Sequence, residues 1–302
     1  MDASVIVPTF NRAASVQRLM ASFRALVCPE SIAAEFLIVD NGSTDDTAKV
    51  LARQESESKR FPIRILRENR QGKSNALNRG LSAATGKILL IVDDDVVVHP
   101  DWLIQHLESH SSNPFDAVQG RVLPGVDPGG KSADPNRLRE YNIPIIDYGR
   151  ESREIRGLTG TNMSFKREVF ETVGLFDARL GPGAAGFSED SEYSIRIRKA
   201  GFIIGYTPGA VVYHELNPDR YGRKYNRMVE YRKGLSRSLY RRDSIVLKVV
   251  PDLAANCFRY GLYRLLGRTQ KAYKTEGRIM KGCGYLAGKL RSRQAIASRS
   301  EP

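Results

Sequence analysis

The sequence predicts an α/β protein with a mostly parallel sheet that is covered by helices on both faces. Short apolar runs alternate with helical patterns through the first third of the chain. Strands that alternate with helices of about 10 to 15 residues indicate βαβ units. The first run, ASVIVP, is of the type expected for a strand buried on both faces. With 41% hydrophobic residues, the chain can also bury a substantial core.

The first half supplies four predicted strands with helices between them. The strand runs are ASVIVP, EFLIVD, PIRILRE and KILLIVD. The helices are predicted over 12–27, from an N-cap at Ser43 or Thr44, over 75–86 closed by Gly86, and from Pro100 to about His110. Ligands of such sheets bind at the carboxyl ends of the strands, so we expect the polar residues that follow strands one, two and four to surround one crevice.

The second half is less regular. DAVQGRVLP predicts a strand, and a long irregular segment follows from Gly125 to Leu158. GTNMSFKREVFETVG predicts a strand and then a helix, and SEDSEYSIRIRKAG predicts a helix that opens at Ser188. FIIGYTPGAVVYHE predicts two short strands that finish at His214.

Length and charge predict a second part of the chain. The 302 residues allow one large or two modest domains, and we place a catalytic domain at 1–218 and an extension at 219–302. Residues 1–219 have 26 Lys and Arg against 29 Asp and Glu, a balance of −3, whereas residues 220–302 have 21 against 5, a balance of +16. The extension is therefore strongly basic and the rest is near neutral.

The cysteines and the apolar runs bear on the compartment of the protein and on whether it spans a membrane. Three widely separated cysteines predict a reducing compartment without a disulfide framework. We expect no signal peptide at MDASVIVPTF, and no run reaches the roughly 18 apolar residues of a spanning helix.

One stretch, LLIVDDDVVVHPDW, runs from an apolar strand into three consecutive carboxylates. The chain has no GxGxxG after the first strand and no GxxxxGK[ST]. Bound phosphate would therefore need another partner, and a divalent cation held by carboxylates is the obvious one. The alternative is a solvated acidic turn.

Eight segments in order resemble glycosyltransferase family 2. They are SVIVPTFNR, IVDNGSTDDT, ENRQGKSNALNRG, ILLIVDDDVVVHPDWL, GTNMSF, GLFDARLG, SEDSEYSIRIRKAGF and VVYHE, and they cover about Val5 to His214. The resemblance implies a GT-A fold, Rossmann-like, and an inverting transfer that depends on Mn²⁺ or Mg²⁺. It also implies a UDP-, GDP- or dTDP-linked sugar donor and a hydroxyl acceptor on a glycan or lipid-linked molecule, as in polysaccharide or glycolipid synthesis.

The resemblance assigns roles to the acidic cluster at the end of strand four. It implies that Asp95 binds the metal, that Asp93 lies nearer the ribose and also faces the metal, and that Asp94 fills the variable position beside the donor. His214 matches a position that supplies a histidine to the metal or diphosphate; it could equally be a packed residue at a strand end.

The nucleotide site is implied by residues that follow the first strands. Asp40 resembles the residue that accepts a hydrogen bond from the base, and the loop residues around it would line the same pocket. For these residues, turn chemistry is the alternative. Lys73 could contact a phosphate or be an ordinary exposed lysine. The implied nucleotide-binding residues also include Pro8, Thr9, Asn11, Gly72 and Asn78.

The acceptor side is implied by two segments. Asp190 matches the base that removes the proton of the acceptor hydroxyl, and Glu189 would orient the acceptor or the loop. Both acids also favour a helix N-terminus, which is the alternative explanation. The GTN segment (Gly160, Thr161 and Asn162) would border the sugar and acceptor. Trp102 could stack on a pyranose ring or pack between helix and sheet.

The basic extension has the composition of helices in a membrane interface, with cationic faces towards anionic lipid. It predicts a cytoplasmic protein that is peripheral on the inner face of the cell membrane. A solvated helical extension is the alternative, and nucleic acid is disfavoured because no recognition module accompanies the charge. Two other functions stay open: a non-catalytic nucleotide-sugar or glycan-binding protein on the same scaffold, and a tethering protein with a vestigial front half.

Overall fold

The computed structural model describes residues 1–57, 60–125 and 142–297, which form two compact units. The first unit takes in residues 1–125, 143–178 and 189–217 of the described chain. The second takes in residue 142, residues 179–188 and residues 218–297. It thus includes an internal segment besides the C-terminal stretch, and the boundary at 218 and 219 stays a prediction. Much of the irregular segment predicted from Gly125 to Leu158 lies outside the described residues.

In the described residues, the first unit is a nine-stranded sheet with six helices. The strands are β1 (Ala3–Thr9), β2 (Ala34–Asp40), β3 (Ile63–Arg67), β4 (Ile88–Val92), β5 (Val96–Val98), β6 (Ala117–Pro124), β7 (Arg153–Glu154), β8 (Asn162–Lys166) and β9 (Ile204–His214). The helices are α1 (Ala13–Arg24), α2 (Thr47–Glu57), α3 (Lys73–Ala83), α4 (Trp102–Ser112), α5 (Arg167–Val173) and α6 (Glu189–Lys199).

The sheet is parallel on one side and mixed on the other. Its order is β3-β2-β1-β4-β8-β6-β9-β5, and β7 pairs with β9. The first four strands in this order are parallel, as predicted. β8 runs antiparallel to both β4 and β6, while β6 and β9 are parallel to each other. The α/β class is confirmed, with antiparallel pairs that the alternation of strands and helices did not indicate.

Side chains of β1 alternate between two cores, as the two-residue period of a strand requires. Val5 and Val7 belong to the core that contains the buried residues of α1 and α4. Ile6 belongs to the opposite core with Leu77 of α3 and Ile197 of α6. Both faces of the sheet are therefore covered.

Three local predictions are wrong. α2 begins at Thr47, and the Asp46 carbonyl accepts the Val50 amide proton at 3.0 Å, so neither Ser43 nor Thr44 is its cap. α3 ends at Ala83 and is not closed by Gly86, whose Cβ position would lie 2.4 Å from the Ala3 carbonyl carbon. β9 is one strand because residues 208–210 bulge out of its pairing with β6.

The described part of the second unit contains a 3-10 turn at Pro218–Arg220 and the α-helices α7 (Arg223–Tyr240), α8 (Val250–Leu265) and α9 (Thr269–Ala297). A π-helical turn at Ile245–Val249 leads into α8. α7 and α9 approach closely through glycines: a Cβ on Gly284 would lie 2.0 Å from the Tyr231 carbonyl oxygen. Arg223 and Arg227 form ion pairs with Glu276 at 2.6 and 2.9 Å. Of the described helices, none combines the length and hydropathy that crossing a bilayer demands.

Candidate active site

The end of β4 and the start of β8 form the centre of the site. Because β8 is antiparallel to β4, Val92 pairs with Asn162, and the residues just outside both strands become neighbours. Thr161 Oγ1 donates a hydrogen bond of 3.0 Å to Asp93 Oδ2. The Gly160–Thr161 loop and the acidic cluster therefore share one edge of the sheet.

A second pairing brings Asp95 to His214. β5 is antiparallel to β9, and Val96 pairs with His214. The Asp95 Oδ1 and His214 Nε2 atoms are 3.4 Å apart, and both side chains are almost wholly buried. His214 Nδ1 lies 2.8 Å from the Glu215 carbonyl oxygen, so Nδ1 must be the donor in that contact. In the neutral ring, Nε2 then presents its lone pair to the Asp95 carboxylate.

Two acceptors that face each other in a buried site need a positive charge between them, either a proton or a metal ion. Carboxylate oxygens suit Mn²⁺ or Mg²⁺, and histidine is the commonest metal ligand among the side chains. Within the described residues, no three His, Cys, Asp or Glu side chains form a complete cluster, so Asp93 does not complete a triad with Asp95 and His214. The pair fits a metal whose remaining ligands come from substrate phosphates and water, the usual arrangement for Mg²⁺.

Lys73 lies between the two acidic motifs. Its Nζ is 2.5 Å from Asp93 Oδ1 and 3.6 Å from Glu189 Oε1, and 16% of its side chain is exposed. Burial would lower the pKa of this ammonium, but the charges of Asp93 and Glu189 outweigh it and raise the pKa. The alternative of an ordinary exposed lysine is therefore wrong: Lys73 is a charged group at the core of the site.

Glu189 and Asp190 open α6, and the two carboxylates differ in environment. Glu189 is buried, and burial with the nearby charge of Asp190 raises its pKa to about 7 in spite of Lys73. Asp190 is half-buried, and its Oδ2 accepts a hydrogen bond of 3.3 Å from the Gly160 amide. The more open carboxylate therefore lies beside the loop at which the acceptor is expected.

Asp94 points back towards β1. Thr9 Oγ1 donates a hydrogen bond of 2.7 Å to Asp94 Oδ2. Burial, together with the charge of Asp95, raises the pKa of Asp94 to about 7. The middle carboxyl of the cluster thus links the ends of β1 and β4.

The ends of β1 and β2 form the predicted nucleotide pocket. Pro8 is buried on β1 opposite Val39. Asn11 has a left-handed backbone (φ 53°), and its Oδ1 accepts the Thr44 amide proton at 2.8 Å. Asp40 is buried, and its Oδ1 accepts the Ser43 amide proton at 2.9 Å. The turn chemistry given as the alternative is thus present at Asp40, whereas the Asn11 side chain joins the loop after β1 to the loop after β2.

Asn41 is a site residue that sequence reasoning missed. It is buried, its Nδ2 donates to the carbonyl oxygens of Glu68 and Arg70, and its Oδ1 accepts the Gly72 amide proton at 2.8 Å. Gly72 has φ 125°, a conformation that favours glycine, and directly precedes α3. Asn41 therefore fixes the turn that places Lys73, and its position beside Asp40 in IVDNGS was the available signal.

The acceptor contacts predicted for Trp102 and Asn162 are wrong. The Trp102 ring is fully buried, and its Nε1 donates a hydrogen bond of 2.8 Å to Asn162 Oδ1. Asn162 is also fully buried, and its Nδ2 donates to the carbonyl oxygens of Arg121 and Ala210. Neither side chain can reach a bound sugar, since both are used inside the core.

The Asn78 side chain is hydrogen-bonded to the backbone of Phe176. Its Oδ1 accepts the Phe176 amide proton at 2.8 Å, and its Nδ2 donates to the Phe176 carbonyl at 2.9 Å. This pairing fastens the loop after α5 to α3. We therefore leave Asn78 out of the proposed nucleotide contacts.

Two arginines near Asp95 and His214 were also not predicted. Arg12 Nη2 lies 4.0 Å from Asp95 Oδ2. Arg18 pairs with Glu215, the residue after His214, at 2.6 Å. Arg12 ends the SVIVPTFNR segment but was given no role, and Arg18 lies outside the motifs, because each lies on or next to α1 and reaches the site only through the fold.

The fold and the site together define a glycosyltransferase with a GT-A fold. The mannosyltransferase PcManGT from Pyrobaculum calidifontis, solved with GDP-Man and Mn²⁺, has a TM-score of 0.59 to this chain and 19% identity, covering 99% of this chain and 81% of its own. A sequence model of the family described as Glycosyl transferase family 2 matches residues 4–174. The chain belongs to that family, as its motifs predict.

Curated relatives agree with this assignment. Glycosyltransferase AglE of Haloferax volcanii is 29% identical over 216 residues, which are 71% of this chain and 67% of the relative. Poly-beta-1,6-N-acetyl-D-glucosamine synthase of Staphylococcus epidermidis is 26% identical over 236 residues, 76% of this chain. The match spans 54% of that synthase, about half of its length.

Proposed function

We propose that this glycosyltransferase transfers a sugar from a nucleotide diphosphate to a hydroxyl of a glycan or lipid-linked acceptor, with inversion and with a divalent metal. The observation that carries this proposal is the position of Lys73, which pairs with Asp93 of one acidic motif and lies 3.6 Å from Glu189 of the other. The charged groups needed for donor and acceptor chemistry thus belong to one cluster.

On the donor side, Asp40 and Thr9 mark the base pocket, and Asp93 lies on the ribose side of the cluster. Asp95 and His214 would hold Mn²⁺ or Mg²⁺, which when bound neutralises charge on the departing diphosphate. The two facing acceptor atoms of Asp95 and His214 support this assignment. PcManGT, whose solved complex contains Mn²⁺, supports it as a relative in fold.

On the acceptor side, Asp190 is the proposed base. Its half-buried carboxylate beside the Gly160 amide can accept the hydroxyl proton as the oxygen attacks the anomeric carbon. Glu189 is buried against Lys73, so it is the better candidate for holding the loop and the lysine in place. Gly160 and Thr161 border the space between donor and acceptor.

The proposed location is supported by the charge of the second unit. Its basic helices support a peripheral position on an anionic membrane surface, where a lipid-linked acceptor would be presented. This is the inner face of the cell membrane in our proposal. The proposed donor is a UDP-, GDP- or dTDP-linked sugar.

A thermal-shift screen of UDP-, GDP- and dTDP-sugars, each with and without Mn²⁺, tests the proposal and names the donor. A bound donor raises the melting temperature by mass action. We expect one donor class to stabilise the protein, and to do so more strongly with Mn²⁺. Tight donor binding without transfer or hydrolysis across acceptors would instead indicate a non-catalytic binding protein.

A further inference from the structure

Helix α8 packs against the rest of the second unit with only one of its faces. Its less exposed side chains recur every three or four residues, and Leu253 approaches Gly282 of α9, whose Cβ position would lie 2.8 Å from Leu253 Cδ2. None of the residues of α8 itself is buried. The opposite face of the helix is therefore open along its whole length.

That open face is apolar. Leu247, Phe258 and Leu265 are 84%, 75% and 87% exposed. With a rise of about 1.5 Å per residue, the face extends roughly 27 Å. We call it the α8 stripe, and its members are Leu247, Val250, Pro251, Ala254, Ala255, Phe258, Gly261, Leu262 and Leu265. An ordinary solvated helix would place its polar residues here, so the alternative of a plain helical extension does not explain this face.

Basic residues surround the α8 stripe but do not enter it. Between 244 and 268 there are four basic residues, Lys248, Arg259, Arg264 and Arg268, against one acid, Asp252. On a helical projection, Arg259 lies at one margin of the stripe and Arg264 at the other. A second copy of the chain on this face would bring like-charged margins together, whereas an anionic bilayer would attract them.

We propose that the α8 stripe is a docking surface for an anionic lipid bilayer, with α8 lying in the plane of the interface and Phe258 and Leu265 inserted among the acyl chains. The proposal rests on the proposed function only in giving its lipid-linked acceptor a route to the enzyme. It goes further by naming the face, the inserted side chains and the lipid charge.

Vesicle co-sedimentation tests the surface with the full chain. The vesicles are phosphatidylcholine alone and phosphatidylcholine mixed with phosphatidylglycerol. We expect binding to the anionic vesicles, and at least a tenfold loss in the triple variant Leu247→Ser, Phe258→Ser, Leu265→Ser. Leu290→Ser, at an apolar position on α9 that is 61% exposed, is the control and should bind within twofold of the unmodified protein. Arg259→Gln and Arg264→Gln should each cost about fivefold.

Failure of the unmodified protein to bind anionic vesicles would overturn the proposal, as would unchanged binding of the triple variant. A dimer that becomes a monomer in the triple variant, seen by light scattering, would also overturn it and assign the stripe to a second copy. If the triple variant does not fold, Phe258→Ser alone carries the same test. Sugar transfer to a water-soluble acceptor is measured on every protein, so loss of vesicle binding with intact transfer is distinguishable from failure of the proposed function.

Discussion

Lys73 Nζ and Asp93 Oδ1 are 2.5 Å apart, in a contact that joins the start of α3 to the end of β4. Glu189, at the start of α6, lies 3.6 Å from the same ammonium. One cation thus balances carboxylates from two distant parts of the sequence, and its position is set by the turn at Gly72. In a partly buried cluster of this kind, removing one charge leaves its partners without a counter-charge and destabilises the site.

Replacing Lys73 by Met should weaken both donor binding and turnover. Asp93 and Glu189 would lose their shared counter-charge, and the pKa of Glu189, already raised to about 7, would rise further. We expect kcat/KM to fall at least tenfold, or about 1.4 kcal/mol. Steady-state kinetics with the donor from the thermal-shift screen measure this. Lys49→Met, an exposed lysine on α2, is the control, and an equal effect in both variants would refute a special role for Lys73.

Replacing Asp190 by Asn should stop transfer while the donor still binds. The amide keeps the shape of the side chain but cannot accept the hydroxyl proton, and general bases contribute about 10² to 10⁴ in rate. Transfer assays and donor titration calorimetry measure the two properties separately. Glu192→Gln, in the same first turn of α6, is the matched control because its carboxylate pairs with Arg196. Normal transfer by Asp190→Asn would show that the base is another group.

The sequence predicted the main parts of the site because its residues follow strands. Pairing of parallel strands brings the ends of β1, β2 and β4 to one edge, so Thr9, Asp40 and Asp93 could be placed together without coordinates. The contact of Asp95 with His214 needed β5, a three-residue strand that no prediction included. Such a short strand gives no periodic signal and is fixed by pairing with β9.

Residues with two plausible environments were the hardest to assign. Trp102 can stack on a sugar or pack in a core, and only the fold shows that its Nε1 reaches Asn162 inside the protein. For Lys73 the sequence left a phosphate contact and an exposed position both open, and lysines are rarely buried without a partner. The partners, Asp93 and Glu189, come from other segments, so local sequence could not reveal them.

Two buried histidines should make the first unit sensitive to acid. Burial lowers the pKa of His106 to about 3 and that of His110 to about 4. The unfolded chain therefore binds more protons than the native state between pH 6.5 and these values, and stability falls as the pH drops through this window. Between pH 7 and pH 5.5, each histidine should lower the free energy of unfolding by about 1 kcal/mol.

The variant His106→Gln isolates this effect. Asp94 and Glu189, with pKa values raised to about 7, bind protons in the native state over the same range and act in the opposite direction. We compare the fall in the free energy of unfolding from pH 7 to 5.5 in the unmodified protein with the fall in the variant. The contributions of Asp94 and Glu189 cancel in this comparison, and we expect the two falls to differ by about 1 kcal/mol. Urea unfolding at both pH values, followed by the fluorescence of the single tryptophan, measures it. Equal acid sensitivity in both proteins would contradict the assignment.

Two glycines of the second unit should respond oppositely to alanine. A Cβ on Gly284 would overlap the Tyr231 carbonyl oxygen, so Gly284→Ala should destabilise the α7–α9 contact by about 1 to 3 kcal/mol. Gly261 lies within α8 with no atom within 4 Å of its Cβ position, so Gly261→Ala should stabilise the unit by about 0.5 to 1 kcal/mol. Thermal unfolding followed by circular dichroism compares them. A similar shift in both variants would argue against the close helix contact.

The proposed chemistry depends most directly on a cation bound between Asp95 and His214. A crystal grown with Mn²⁺ and the nucleoside diphosphate of the donor, measured at a wavelength where manganese scatters anomalously, locates that cation. We expect a single strong peak within coordination distance of Asp95 Oδ1 and His214 Nε2, with the diphosphate oxygens completing its shell and the Asp190 carboxylate facing the same cleft. A manganese peak elsewhere, with Asp95 and His214 still in mutual contact, would contradict the account.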